Sequence, residues 1–334
     1  MSEDVAVVIP YFQRSPGILS RALSSLAGQD FTGRVSVLIV DDGSPAPADP
    51  EVGRVSFGEN YRIKLIRQPN KGPGAARNAA LDELPSAFRY VAFLDSDDEW
   101  LPTHLSSAVK ALSCGFDVFF SDLLQWGSSV PLFQRSNFVA SSHGRNLPPN
   151  AHHFAFEADI FDQTIRLPVI GTSSVVYDFY KFPELRFRPE YRRAGEDMLF
   201  WLDLAAAGAR FVLSNEVEAV YGRGVNVYAG VTWGSAESIE RLSNELLYRR
   251  VTLKEYPLQG EQRTYLRRCI AELRKDVSLV LLRRILNLSG LPLASVHRLI
   301  RSDPGLLPRV PFLLLLAIFE LFAHHARRLK DVER

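Results

Sequence analysis

Cysteine is nearly absent. The 334 residues hold two, Cys114 and Cys269. Two thiols so far apart exclude a disulfide framework and point to a reducing compartment. A membrane-spanning helix needs about 20 apolar residues. The apolar run Val310 to Phe319 is shorter than that and is bounded by Arg309 and Glu320. The N-terminus reads MSEDVAVVIPYFQR; its acidic start and short apolar run predict no secretory leader. No Gly-Lys-Ser/Thr follows a glycine turn, which excludes a Walker A loop, and no G-x-G-x-x-G dinucleotide signature occurs. Internal repeats and low-complexity tracts are missing as well.

What is present is an ordinary globular balance, 46% hydrophobic and 23% charged residues, enough for a sizeable core and more than one domain. The net charge of +1 conceals an asymmetry. From Arg241 onward there are 18 Lys and Arg against 9 Asp and Glu, a balance of +9; Met1 to Glu240 holds 21 against 29, a balance of −8. A basic tail on an acidic body calls for an anionic partner. Aromatic residues for base stacking are sparse in the tail, so nucleic acid is the weaker candidate and an anionic membrane surface the stronger. Packing of the tail as a helical bundle is compatible with either.

The first hundred residues alternate strand and helix signals. Val5 to Pro10, Val35 to Val40, Tyr61 to Ile66 and Tyr90 to Leu94 are short apolar or β-rich runs bounded by turn residues and read as strands. Pro16 to Gln29, Gly74 to Leu84 and Leu101 to Leu112 read as helices. This rhythm predicts an α/β fold, a mostly parallel sheet flanked by helices. Beyond it, strands are expected at Asp117 to Ser121 and near Ser173 to Tyr177, a polar loop over Gly127 to Asn150, and a stretch Tyr191 to Ala207 that turns helical after Gly195-Glu196-Asp197. From Ser235 the chain reads as helical.

In open α/β sheets ligands bind beyond the carboxyl ends of the strands. There stand Pro10-Tyr11, Asp41-Asp42-Gly43-Ser44 and Asp95-Ser96-Asp97-Asp98, with Asn70 to Asn78 (NKGPGAARN) leading into a helix. Three carboxylates in four residues repel unless a cation or hydrogen bonds offset them. Mg²⁺ or Mn²⁺ bound by one or two carboxylates and a substrate phosphate would do so; Asp97 or Asp98 could instead cap the next helix. Asp41-Asp42-Gly43-Ser44 is either a turn or an acceptor for a base N–H or ribose hydroxyl. Arg77, one turn into a glycine-led helix, could reach a phosphate. Gly195-Glu196-Asp197 is an acid-rich helix start, or a general base facing a substrate hydroxyl.

Taken together, V-V-I-P-Y-F (7–12), V-D-D-G-S (40–44), N-K-G-P-G-A-A-R-N (70–78), F-L-D-S-D-D-E-W (93–100) and G-E-D (195–197) resemble the family 2 inverting glycosyltransferases of GT-A fold. The resemblance spans about residues 4 to 230. It implies a GT-A domain over 1–234, with a nucleotide-sugar half at 1–112 and an acceptor half at 113–234, followed by a basic helical region at 235–334. Pro10, Tyr11 and Asp42 would line the uracil and ribose pocket, supported by Asp41. Arg77 would hold the donor near its phosphates. Asp95 and Asp97 would be the D-x-D pair, with Asp97 the main ligand of Mn²⁺ or Mg²⁺. Asp197 would be the base, beside Glu196. A late histidine found in family members is missing from Tyr221-Gly222-Arg223-Gly224-Val225-Asn226, as is the processive Q-x-x-R-W signature.

A looser similarity to succinoglycan-type exopolysaccharide enzymes implies transfer of a sugar, glucose from UDP-glucose, to a lipid-linked oligosaccharide. The enzyme would then act at the cytosolic face of the inner membrane. Two other readings stand beside it. A nucleotidyltransferase would favour a glycine-rich loop after the first strand, where Tyr11-Phe12-Gln13-Arg14 has none. A degenerate GT-A scaffold would not need Asp95, Asp97 and Asp197.

Overall fold

In the computed structural model the described residues are 4–222 except Ala87, Pro149 and Arg193, then 235–286 and 293–306, with Pro311, Phe312 and Leu315. The chain divides into two compact units, residues 1–192 with 196–227, and 193–195 with 228–334.

The first unit is built on a ten-stranded sheet. Its strands are β1 (Val5–Tyr11), β2 (Val35–Asp41), β3 (Tyr61–Arg67), β4 (Tyr90–Phe93), β5 (Glu99–Trp100), β6 (Val118–Gln125), β7 (Gly144–Leu147), β8 (Asn150–Phe156), β9 (Val176–Asp178) and β10 (Phe211–Tyr221). The order is β3-β2-β1-β4-β9-β6-β10-β8-β7, with β5 paired to β10. β3, β2, β1 and β4 run parallel. β9 is antiparallel to both β4 and β6, and β6 is parallel to β10. The carboxyl ends of β1, β2, β4, β6 and β10 therefore share one edge.

Strand alternation sorts the core onto two faces. Val5, Val7, Ile9 and Tyr11 of β1 pack with Leu19, Leu23 and Leu26 of α1 (Leu19–Ala27) and with Leu105 and Leu112. Ala6 and Val8 face Ala76, Ala80 and Leu81, and share their cluster with Phe200, Trp201 and Leu204. The remaining helices of this unit are α2 (Asp49–Val52), α3 (Pro73–Asp82), α4 (His104–Ser113), α5 (Leu132–Arg135), α6 (Ala140–His143), α7 (Ile160–Arg166) and α8 (Glu196–Ala206).

Several stretches differ from the sequence expectation: α7 and most of β8 were not anticipated, and Thr172–Ser174, at the start of the strand expected near 173–177, forms a 3-10 turn. The supposed polar loop Gly127 to Asn150 contains α5, α6 and β7. It is anchored by Phe133, Phe138 and Ala140 in the second face cluster and by Phe133 N donating to Asp122 Oδ1 at 3.0 Å. The 11-residue β10 was not expected at all, yet it pairs with β5, β6 and β8. Exposed Asn215 and Glu216 sit at a register shift that breaks its alternation. Buried Glu218 adds a charge where an apolar residue would signal strand; its Oε1 accepts from Ser107 Oγ at 2.7 Å.

The second unit holds α9 (Ala236–Glu255), α10 (Gly260–Leu286) and α11 (Leu293–Ser302). Ser235 caps α9, its hydroxyl accepting from Ser238 N at 3.2 Å. Ile239, Leu242, Leu246, Ile270, Leu273, Val277 and Leu299 form the core. Asp303, buried, accepts from Arg250 Nη1 at 2.6 Å and from Arg274 Nε and Nη2 at 2.7 and 2.9 Å. Part of the tail's positive charge is thus spent holding its own helices together. No described helix is long and apolar enough to cross a membrane. Most of Val310 to Phe319 lies outside the described residues, but Phe312 and Leu315 are exposed.

Candidate active site

The loops after β1 and β2 are fastened to each other. Ser44 Oγ donates to Gln13 O at 2.8 Å and accepts from Gln13 N at 2.7 Å. Asp41 Oδ1 accepts from Ser44 N at 2.8 Å, a side-chain-closed turn. Gly43 takes φ +67°, and a Cβ there would stand 3.0 Å from Asn70 N, so the turn needs glycine twice over.

Asp42 is fully engaged. Its Oδ1 accepts from Gln68 Nε2 at 2.6 Å and Lys71 N at 2.8 Å, and its Oδ2 from Gly72 N at 2.8 Å. It braces the 68–72 turn with three accepted hydrogen bonds, two on Oδ1 and one on Oδ2. Asp41 is engaged through one oxygen only: its second accepts from no described residue. Tyr11 likewise departs from the expected pocket. Its ring is in the core and its hydroxyl donates to buried Glu51 at 3.2 Å, while burial and Glu51 push its pKa well up. Pro10 is buried beside it. Asp42 and Tyr11 are thus tied into the surrounding structure, and Asp41 keeps one carboxylate oxygen without a partner among the described residues.

α3 begins at Pro73 after Gly72, whose φ is +94°. Asn78 clamps the segment before α8: its Nδ2 donates to Phe187 O and its Oδ1 accepts from Phe187 N, both at 2.8 Å. Arg77, 3% exposed, lies over the Phe187 ring at 5.1 Å. Its Nη2 donates to Asp95 Oδ1 at 2.6 Å and its Nη1 to Glu196 Oε1 at 3.4 Å. Burial pulls its pKa down; Asp95 and Glu196 more than offset that, so it stays cationic. A guanidinium so enclosed orients two carboxylates, while its Nε has no hydrogen-bond partner among the described residues.

Arg77→Met should cost stability on the order of 3 kcal/mol. Breaking a buried pair strands its partners, and partial exposure of Asp95 (32% for its side chain) trims the loss. Chemical denaturation of the variant checks this; an unchanged midpoint would leave Arg77 dispensable to the site's architecture.

The four-residue acidic cluster after β4 splits by environment. Asp98 is buried and accepts from Ser173 Oγ at 2.5 Å and Gly222 N at 2.9 Å. Burial, then Asp97 and Asp95, hold its pKa well above the usual carboxylate range. Ser173 Oγ also accepts from Asp95 N at 3.0 Å, and Ser173 O accepts from Trp100 Nε1 at 2.6 Å. A Cβ at Gly222 would collide with the Asp97 carbonyl. Asp98 is therefore the internal anchor that the loop hangs from, and Asp95 and Asp97 are the half-exposed pair. Ser173 and Gly222 were missed in the sequence; the only signal was a run of small residues, Gly171 to Ser174, ahead of a strand.

Glu196 and Asp197 open α8 on the same crevice. Asp197 Oδ1 accepts from Met198 N at 2.8 Å. Burial raises both carboxyls, Glu196 to about 7, where Asp197 adds to the rise and Arg77 opposes it. Below them Phe187 and Phe200 stack with centroids 4.2 Å apart, and Phe93 meets both edge-on. Asp95, Arg77 and Glu196 are thus in direct contact, Asp97 is held beside them by its loop, and Asp197 feels the charges of Arg77 and Asp95. Arg223 to Asn226 lie outside the described residues. Among the described residues no three His, Cys, Asp or Glu side chains form a metal cage. An ion at the half-exposed pair would complete its shell with substrate oxygens and water, as hard divalent ions do.

Known proteins resemble this chain in sequence and in fold. Residues 6–173 match the family described as Glycosyl transferase family 2. Succinoglycan biosynthesis protein ExoW of Rhizobium meliloti (strain 1021) is 34% identical over 259 residues, 72% of this chain and 75% of that protein. The crystal structure of S. aureus TarS 1-349 in complex with UDP-GlcNAc superposes with a TM-score of 0.56 at 19% identity, covering 92% of this chain and 82% of that one. Mannosyltransferase PcManGT from Pyrobaculum calidifontis, in complex with GDP-Man and Mn²⁺, superposes at 0.57 and 16% identity, covering 96% and 87%. With the motifs gathered at one sheet edge, the chain belongs to glycosyl transferase family 2 and has the GT-A fold.

Proposed function

We propose that this glycosyltransferase moves a sugar from a UDP-sugar, glucose first among the candidates, to a lipid-linked oligosaccharide of exopolysaccharide assembly by one inverting displacement. The observation that carries the reading is Arg77, which holds Asp95 of the donor-side loop and Glu196 of α8 within one buried charge cluster. The likeness to a succinoglycan biosynthesis protein supports the acceptor, and the UDP-GlcNAc complex of TarS supports the donor.

Asp41 would accept a hydrogen bond from the uracil or ribose with its spare oxygen. Asp97, with Asp95 beside it, would hold Mn²⁺ or Mg²⁺, which when bound offsets the charge that develops on the leaving diphosphate. Arg77 fixes the facing carboxylates, so the site is assembled before substrate arrives. Asp197 takes the proton of the acceptor hydroxyl as its oxygen bonds to the anomeric carbon. The bond from that carbon to the phosphate oxygen breaks on the opposite face, and UDP leaves with the electron pair. A panel of nucleotide sugars, read by released nucleotide with Mn²⁺ and with EDTA, tests the reading. Release confined to UDP-sugars and dependent on the metal is expected; metal-independent release, or release from no sugar in the panel, contradicts it.

The second unit would bring the enzyme to the cytosolic face of the inner membrane. Arg267 and Arg268 are exposed on α10, and Phe312 and Leu315 are 63% and 68% exposed. Each basic residue near an anionic surface contributes about 1 kcal/mol, and inserted apolar side chains add a part that salt does not screen. Flotation with phosphatidylglycerol vesicles should weaken in high salt without vanishing. Phe312→Ser with Leu315→Ser should leave only the salt-sensitive part. Failure to float at low salt would reduce the second unit to a packed helical appendix.

A further inference from the structure

β10 ends at Tyr221, immediately before the glycine that lies against the Asp97 carbonyl. The strand end is fixed from both sides: Tyr221 O accepts from Trp126 N at 2.7 Å, and Gly222 N donates to Asp98 at 2.9 Å. The phenol is placed by a missing side chain. A Cβ at Gly171 would collide with Tyr221 Oη and with Leu123 Cδ2. The ring packs against the first core cluster, a task that phenylalanine would perform equally well and without requiring room for an oxygen.

The hydroxyl has no evident structural employment. It hydrogen-bonds to no described residue, and it is not among the buried side-chain atoms sealed from solvent. Half-buried and not sealed from solvent, it can donate to a ligand. Its electrostatic neighbours are the site itself: burial, then Asp98, Asp95 and Asp197, raise its pKa well above 10, with Arg77 opposing. It is therefore a neutral O–H donor throughout the working range.

We propose that Tyr221 Oη, seated against Gly171, hydrogen-bonds a hydroxyl of the transferred sugar, making Tyr221 a specificity-determining residue for the donor sugar. The proposal rests on the transferase reading above. In the reaction the sugar must lie between the phosphate held at Asp97 and the attacking hydroxyl at Asp197, and the strand end that carries Tyr221 adjoins the Asp97 carbonyl through Gly222. A site built to hydrogen-bond a substrate hydroxyl discriminates among sugars that differ only in how they present it.

Calorimetric titration of UDP, UDP-glucose, UDP-galactose and UDP-N-acetylglucosamine in Mn²⁺, with wild type, Tyr221→Phe and Gly171→Ala, tests this. Tyr221→Phe should weaken the preferred UDP-sugar about tenfold, compress its preference over the other sugars, and leave UDP within about twofold and the melting temperature unchanged. Gly171→Ala, which crowds the hydroxyl, should reproduce the sugar-specific loss. Unchanged UDP-sugar affinity in Tyr221→Phe, or an equal loss for UDP itself, overturns this role while leaving the transferase reading intact. A wild type that binds neither UDP nor any UDP-sugar overturns both.

Discussion

Asp197→Asn should leave a folded protein that binds UDP normally and turns over at least about 100-fold more slowly, the usual worth of a general base. The amide keeps the shape of the carboxylate and can still accept from Met198 N, as Asp197 Oδ1 does at 2.8 Å, so the start of α8 should survive. What it loses is the ability to take a proton. The pH dependence gives a second check. Burial raises the Asp197 carboxyl, and Glu196 reaches about 7. A base works only when ionised, so wild-type kcat should fall as pH drops into the raised range of the Asp197 carboxyl, above that of an ordinary aspartate. Removing the Asp197 charge also removes one cause of the Glu196 rise, so Glu196 should titrate lower in the variant.

Stability runs the other way with pH. A carboxyl raised from 4.5 to about 7 binds its proton more tightly in the folded state. Between those values the unfolded chain holds fewer protons, so ionisation disfavours folding as pH rises, and the loss persists above 7. The site is thus most active where this pair costs the fold most. Loss of UDP binding in Asp197→Asn, with turnover per bound donor intact, would move Asp197 from the chemistry to the donor pocket.

The parallel half of the sheet was legible because β1, β2 and β4 are apolar runs on which the core itself depends: Val5, Val7, Ile9, Val37, Ile39 and Phe93 have no exposed surface. Their carboxyl ends could be named, and the motifs at those ends do meet at one edge. β10 was hidden because Asn215, Glu216 and Glu218 are polar within an 11-residue strand, and the bulge that accommodates them is a tertiary event. The division of labour inside each motif was also hidden. Asp41 and Asp42 are identical side chains one residue apart, and only the turn at 68–72 decides which of them is consumed. Asp97 and Asp98 are likewise told apart by a serine 75 residues from Asp98 that donates to Asp98. Residue type marks where charge must gather; hydrogen-bond direction, which assigns the roles, depends on partners distant in sequence.

Asp97→Ala should abolish transfer. Asp95 is tied to Arg77 through Oδ1, and Asp98 is buried and engaged by Ser173 and Gly222, so neither can replace Asp97 as the principal oxygen ligand. A carboxylate ligand lost from a hard-cation site removes both the ion and the charge stabilisation it lends to the departing diphosphate. Because Asp97 is half-exposed, its removal should not unfold the loop. The decisive measurement is titration of UDP into wild type and Asp97→Ala, each in Mn²⁺ and in EDTA. Wild type should bind UDP at least about tenfold more tightly in Mn²⁺, the worth of a charge-assisted contact or more, and Asp97→Ala in Mn²⁺ should match wild type in EDTA. Wild-type affinity and an undiminished Mn²⁺ response in Asp97→Ala would contradict the placement of a metal-assisted UDP-sugar site at this edge of the sheet.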